Sequence, residues 1–285
     1  MNLNQLSIIA ISKLQSEIID DLKGKNINND ITSNTLIDNK KTIKVAISNR
    51  ESLTLCGEFF LKKFIKKKFP SLIYKSYFKD GDYLHKQSKI AEISGNCKII
   101  FAIERTLLNF IQHLSSISTY TKELVILLQK TNTKLLNTRK TITGLRKLQK
   151  YATTIGGAKN HRMGLYDGIL VKDNHIQIFG DINKTLKKLS EKKIKNFKIE
   201  CETISQVKKS IEAGAEYILL DNMKPNEIKK SVKLKNTLKS AVKFEITGGI
   251  KLKNLKKFAY LGADFISTGE ITNCPKSVDI GMDII

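Results

Sequence analysis

The chain has 285 residues, 41% hydrophobic and 27% charged, the balance of a folded protein large enough for one big domain or two smaller ones. No apolar run is long enough to span a bilayer, and Cys56, Cys97, Cys201 and Cys274 lie far apart with no CxxC pair. This argues against a transmembrane helix, a zinc site or a disulfide framework and favours a reducing cytoplasm. The formal net charge of +23 would suit a nucleic-acid binder, but the lysines cluster in biased segments such as KKFIKKKF and KKLSEKKIKN, and aromatic residues make up only 7%. The excess reads as composition, and it would favour encounter with a small polyanion.

Residues 1–22 begin without a basic region and turn acidic and amphipathic, which predicts a first helix and no secretion signal. DITSNTL looks like a capped restart after a polar connection. Thr42–Ile47 alternates as a strand; Leu55–Phe69 reads as a helix closed by Pro70; Ile73–Phe78 and Lys89–Ile93 read as strands around a Lys79–Asp82 turn. This first third carries no convergent site chemistry: His85 reads as a surface residue, His113 as a core or interface one. Ala102–Leu128 is helical in pattern, with ERTLLNFIQHLSSIST at its centre.

From Asn137 to His175 the charges fall where apolar runs stop. Lys134–Asn137 predicts a short strand ending at Thr138-Arg139-Lys140. Leu145, Leu148, Ala152 and Ile155 then recur at helical spacing up to Gly156-Gly157. Ile169–Val171 is a second short strand and ends at Lys172-Asp173-Asn174-His175. Four further runs, FKIEC, YILL, KFEI and FIST, alternate with helical patterns. Two joins, AGAEYI and LGADFI, nearly copy each other 48 positions apart, as two successive β-α units would, with Gly214 and Gly262 as helix stops at the C′ position. Repeated β-α units imply a parallel sheet, and closure into a barrel fits their number better than a doubly wound sheet. Arg139, Lys172, Glu200, Asp221, Thr247 and Gly269 all fall at or just after strand ends, the face where barrel enzymes carry chemistry.

That rim has a cationic half (Arg139, Lys140, His161, Arg162, Lys172) and an acidic half (Glu200, Glu202, Asp221). Paired arginines suit a flat diacid through parallel hydrogen bonds, and carboxylates suit Mg²⁺ carried with a diphosphate. Loop-tying salt bridges would explain some of these groups, such as Glu202, Lys147 and Lys150, but not the cationic surplus, which is costly in a cleft without an anion.

TRKT-x-x-GLR-x-x-QKYA, GG-x-x-NHR-x-GLYD and KDNH, in this order, resemble the core of the quinolinate phosphoribosyltransferase family, and the resemblance covers nearly the whole chain. It implies transfer of phosphoribosyl from phosphoribosyl diphosphate to quinolinate with loss of CO₂, giving nicotinate mononucleotide for NAD biosynthesis. It also implies an α/β architecture: an N-terminal α/β domain over residues 1–112, joined by about the last ten residues and packed beside a TIM-like, incomplete α/β barrel over 113–285, in a homodimer. On this resemblance Arg139, His161, Arg162 and Lys172, with Arg105 of ER-x-x-LNF from the neighbouring subunit, surround the quinolinate carboxylates. Lys140 lies between the substrates. Glu200 and Asp221 face ribose and Mg²⁺, while Thr247, Gly248, Gly249 and Gly269 take the 5-phosphate. Three departures are a Thr143 where the family usually has Pro, an Asn273 where it often has His, and a small insertion at Asn26–Asn29. The alternatives are a phosphoribosyltransferase of the same fold acting on another acid, such as a molybdenum-transport-associated homologue, and a basic nucleic-acid-binding protein. Acids in the cleft speak against the latter. No Walker-type loop or G-x-G-x-x-G is present.

Overall fold

The computed structural model describes residues 2–285. The chain divides into two compact units, one of Met1–Lys122, Gly144–Gly156 and Pro275–Ile285, the other of Glu123–Thr143 and Gly157–Cys274.

The first unit starts with α1 (Leu3–Asp21), where the Asn2 side chain accepts the Asn4 N–H and Leu6, Ala10, Ile11, Leu14 and Ile18 form one buried face. The Asn26–Asn29 segment is a single 3₁₀ turn with Asn26 capping Asn28, and α2 (Ile31–Leu36) follows, capped by Asp30. The chain continues through β1 (Thr42–Asn49), β2 (Leu53–Thr54), α3 (Glu58–Lys68), β3 (Ile73–Ser76), β4 (Tyr83–Leu84), β5 (Lys89–Asn96) and the long α4 (Cys97–Leu128). Later in the chain α5 (Arg146–Ile155) belongs to this unit too. So does the last strand of the chain, antiparallel to β1 with Val45 opposite Ile284. Its four-stranded antiparallel sheet runs in the order last strand, β1, β5, β3. The core joins Val45 and Ile47 of β1, Ile90 and Ile93 of β5, Phe64 and Ile65 of α3, and Ile103, Leu107 and Ile111 of α4. Burying such side chains stabilises by roughly 1.5–3 kcal/mol each before entropy is counted.

The second unit is built on β6 (Lys134–Leu136), β7 (Ile169–Val171), α6 (Asp173–Phe179), α7 (Ile182–Glu191), β8 (Phe197–Cys201), α8 (Ile204–Glu212), β9 (Tyr217–Asp221), α9 (Pro225–Thr237), β10 (Lys243–Thr247), α10 (Leu252–Ala259), β11 (Phe265–Ser267) and α11 (Glu270–Asn273); the final strand, β12, is Ile280–Ile284. The strands β6 to β11 make one parallel sheet in the order β6-β11-β10-β9-β8-β7, so the first strand lies beside the last. A parallel bridge from Leu136 to Lys159 extends the other side of β6. Among the described residues no ladder joins that segment to β7, so the barrel is incomplete, as the family resemblance implied.

Period-two alternation sorts the strand side chains. Leu136, Leu170, Tyr217 and Leu219, with Phe265, pack together on one face, while Ile218, Leu220, Phe244 and Ile246 are buried on the other. The two near-copies differ slightly. Gly214 (φ +79°) is the residue after the α8 cap Ala213, at C′ as expected; α10 stops at Ala259 with Tyr260 as cap, which puts Gly262 (φ +86°) one residue beyond C′.

Candidate active site

The carboxyl ends of these parallel strands surround a cavity of about 750 Å³, within the range of small-molecule sites. Arg139, Lys140, His161, Arg162, Lys172, Glu200, Asp221, Thr247, Gly248, Gly249 and Gly269 all line it. Arg139, Lys172, Glu200, Asp221, Thr247 and Gly269 meet there because each stands at or just past the same end of its strand, and His161 and Arg162 follow the bridge at Lys159 beside β6.

The cationic side is held by the backbone. Asn137, fully buried at the end of β6, accepts the His161 N–H through Oδ1 at 3.0 Å and donates through Nδ2 to Asn160 Oδ1 at 2.7 Å. The Arg162 N–H donates to His161 Nδ1 at 2.8 Å, and Arg162 Nη1 to the Gly168 carbonyl at 3.0 Å. Arg139 Nε is buried with no hydrogen-bond partner among the described residues. Burial, then the positive charge of Arg139, pulls the Arg162 pKa below its ordinary value, with Glu200 working against them. Two guanidinium groups that repel each other, one with a buried idle donor, make a site that an anion relieves.

On the acidic side Glu200 of β8 accepts from Lys172 Nζ at 2.6 Å, across the β7–β8 pair. Burial raises the Glu200 carboxyl above its usual range; Lys172 opposes this, and the charges of Asp221 and Asp173 add to it. Lys172 therefore answers Glu200 as well as anything bound in the cavity. His175 of KDNH turns back on the helix instead: its Nδ1 accepts the Lys172 N–H at 3.0 Å at the start of α6.

After β10, Gly248 has φ +87°, and a Cβ there would lie 2.2 Å from Asn222 Oδ1, so only glycine fits. The Asn222 N–H donates to the Thr247 carbonyl at 3.0 Å, Asn254 Nδ2 to the Gly249 carbonyl at 2.9 Å, and buried Thr268 Oγ1 to the Ile250 carbonyl at 2.7 Å. Thr272 Oγ1 ties the Arg139 loop down through the Lys140 carbonyl at 2.6 Å. A Cβ on Gly269 would come within 2.9 Å of Lys140 Cδ. Backbone thus lies close to the cavity on this side, with free space beside Gly249.

One residue expected on the rim is elsewhere. Glu202 is exposed, donates its N–H to Gln206 Oε1 at 2.8 Å, and does not line the cavity. Arg105, expected in the cavity of the neighbouring subunit, is exposed on α4. Asn273 does line it, whereas Thr143 is exposed. No group of three or more His, Cys, Asp or Glu that could hold a metal ion occurs among the described residues. The reading of the sequence missed Glu245, which lines the cavity at 1% exposure. Tyr217 donates to its Oε2 at 2.8 Å, and His161 Nε2 lies 3.6 Å from the same oxygen. The signal was a lone acid at the centre of KFEIT, opposite in face to Phe244 and Ile246.

Residues 30–115 match the family model described as the N-terminal domain of quinolinate phosphoribosyl transferase, and residues 117–283 match the C-terminal domain model. A probable nicotinate-nucleotide pyrophosphorylase (carboxylating) of Bacillus subtilis is 38% identical over 260 residues, 90% of this chain and 88% of that one. The crystal structure of a nicotinate-nucleotide pyrophosphorylase from Ehrlichia chaffeensis superposes with a TM-score of 0.88 at 38% identity, over 96% of this chain and 98% of the other. One from Francisella tularensis gives 0.88 at 33% identity, over 98% and 97%.

Proposed function

The chain belongs to the quinolinate phosphoribosyltransferase family, and on that premise we propose how its barrel cavity transfers phosphoribosyl from phosphoribosyl diphosphate to quinolinate and releases CO₂. The observation that carries the reading is the buried, unpartnered Nε of Arg139 beside a like-charged Arg162. Forked guanidinium groups match a planar diacid, and its binding would remove both the repulsion and the idle donor.

In this reading Arg139, His161, Arg162 and Lys172 bound the quinolinate subsite, and Lys140 stands between it and the second substrate. Glu200 and Asp221 face the ribose hydroxyls, while the N–H groups of Thr247, Gly248, Gly249 and Gly269 receive the 5-phosphate. The close backbone approach at Gly248 supports that last assignment. The clamp holds the pyridine nitrogen in line with the anomeric carbon; the nitrogen–carbon bond forms as the bond to diphosphate breaks, and Lys140 stabilises the leaving charge. The pyridinium then takes up the electron pair freed when the 2-carboxylate departs as CO₂, and a proton replaces it at that carbon.

Two neighbouring acids, one raising the proton affinity of the other, suit a divalent cation carried by the diphosphate better than a site made by protein alone. Glu200 and Asp221 would hold Mg²⁺, directly or through water, and it would neutralise diphosphate charge. The exposure of Arg105 supports its use in the cavity of a second copy within a homodimer. Three buried free thiols, Cys56, Cys97 and Cys201, support a cytoplasmic setting.

The test is formation of nicotinate mononucleotide from quinolinate, phosphoribosyl diphosphate and Mg²⁺ by the purified chain. Arg139→Ala is expected to lose about 10³-fold in kcat/KM for quinolinate. A folded chain that turns over another pyridine acid and leaves quinolinate untouched would overturn the substrate assignment.

A further inference from the structure

Glu245 has no place in the scheme above, yet it is a carboxyl buried at the cavity wall. Its strand neighbours Phe244 and Ile246 are buried on the opposite face, and Leu219 lies opposite it in register on β9. One oxygen, Oε2, accepts from Tyr217 at 2.8 Å, and Ser267 and Lys198 also lie near the carboxyl. Withholding a carboxyl from water is expensive, and an apolar side chain would fill the barrel interior more cheaply. What the acid does for the site follows from the ring it faces.

The His161 ring is polarised from both sides. Its Nδ1 receives the Arg162 N–H at 2.8 Å, so that nitrogen carries a lone pair, and the ring proton belongs on Nε2, which faces Glu245 Oε2 at 3.6 Å. That separation is longer than a hydrogen bond, but in a desolvated wall an acceptor at this distance still favours a proton on the nearer nitrogen. The opposite tautomer, or the imidazolium, would set an N–H against the Arg162 N–H and push the Arg162 backbone away from the wall.

We propose that Glu245 is a positioning residue for quinolinate binding: held by Tyr217, it keeps His161 in the Nε2-protonated tautomer whose Nδ1 anchors the Arg162 backbone. The cationic clamp is then aimed by an acid one step behind it. The kinetic consequence rests on the reading that Arg162 holds quinolinate; the tautomer itself does not.

Side-chain ¹⁵N NMR of the full chain, with the His161 signals assigned by their loss in His161→Gln, tests the tautomer in wild type, Glu245→Gln and Glu245→Leu. Glutamine keeps an acceptor oxygen, so wild type and Glu245→Gln are expected to show one neutral form protonated on Nε2. Glu245→Leu is expected to lose it and to raise the KM for quinolinate about tenfold, with kcat and the KM for phosphoribosyl diphosphate within about threefold. If Glu245→Leu fails to fold, Tyr217→Phe is expected to move the quinolinate KM the same way by a smaller factor. A wild-type ring protonated on Nδ1 overturns the proposal, as does a Leu variant that keeps the single tautomer or raises both KM values together. Arg162→Ala separates the two readings: an unchanged quinolinate KM there removes the clamp assignment, while the NMR result on Glu245 stands alone.

Discussion

Each unit gathers charged side chains, and the two clusters are treated in opposite ways. In the first unit Asp80 Oδ1 accepts the Gly57 and Glu58 N–H groups at 2.9 Å each, and Oδ2 accepts the Tyr151 hydroxyl at 2.8 Å. The carboxylate caps α3, where the helix leaves orphan donors, and its demands are met from within the chain. In the second unit charge of both signs gathers round an open cavity, and on the cationic side a buried guanidinium donor is left over. A buried charge with its partners in place is part of the frame. The buried Arg139 donor, at the wall of an open cavity, is placed to meet a ligand.

The sharpest way to break this contrast is Arg139→Lys. Lysine keeps the charge and loses the fork, so kcat/KM for quinolinate is expected to fall about 10²-fold. The urea midpoint of the unliganded protein should hold or rise, since a desolvated donor beside Arg162 is removed. A large fall in the midpoint would mean that Arg139 belongs to the frame. Asp80→Ala should do the reverse. Unfolding free energy is expected to drop by about 2–4 kcal/mol, from a lost cap and an orphaned Tyr151 hydroxyl, while turnover per folded molecule stays within about twofold.

The smallest effect is a pH dependence at Glu58. Burial is the main influence raising its pKa, with the Asp80 charge adding to it and Ser76 and Lys62 opposing it. Because the folded value lies above the unfolded one, the native state favours the protonated acid, and this contribution is present below about pH 4.3 and lost as pH rises through the folded value. Glu58→Gln should therefore match wild type in urea unfolding near pH 4 and exceed it at pH 7. Equal midpoints at both values would place Glu58 in a solvated setting.

Motif order from Thr138 to His175 was enough to reach the family, and the apolar runs were enough to place the strands β6 to β11 and the charges at their ends. Those features are local: a strand's period, a helix stop and a residue just past a strand are written in a few consecutive positions. Pairing is not local. Lys172 meeting Glu200, Asn222 pressed against Gly248, and Tyr217, Glu245 and His161 converging behind Arg162 join residues far apart in sequence. Alternation says which face of its strand Glu245 occupies but not what stands across from it. Glu202 shows the same limit from the other side: two residues from Glu200 in sequence, it lies beyond the strand end and turns to the start of α8. The sequence by itself determined the family, the strand ends and the stock of charges. Only the tertiary structure decided which charges are matched and which are left for substrate, because that depends on strand order and register, set by packing across the whole barrel.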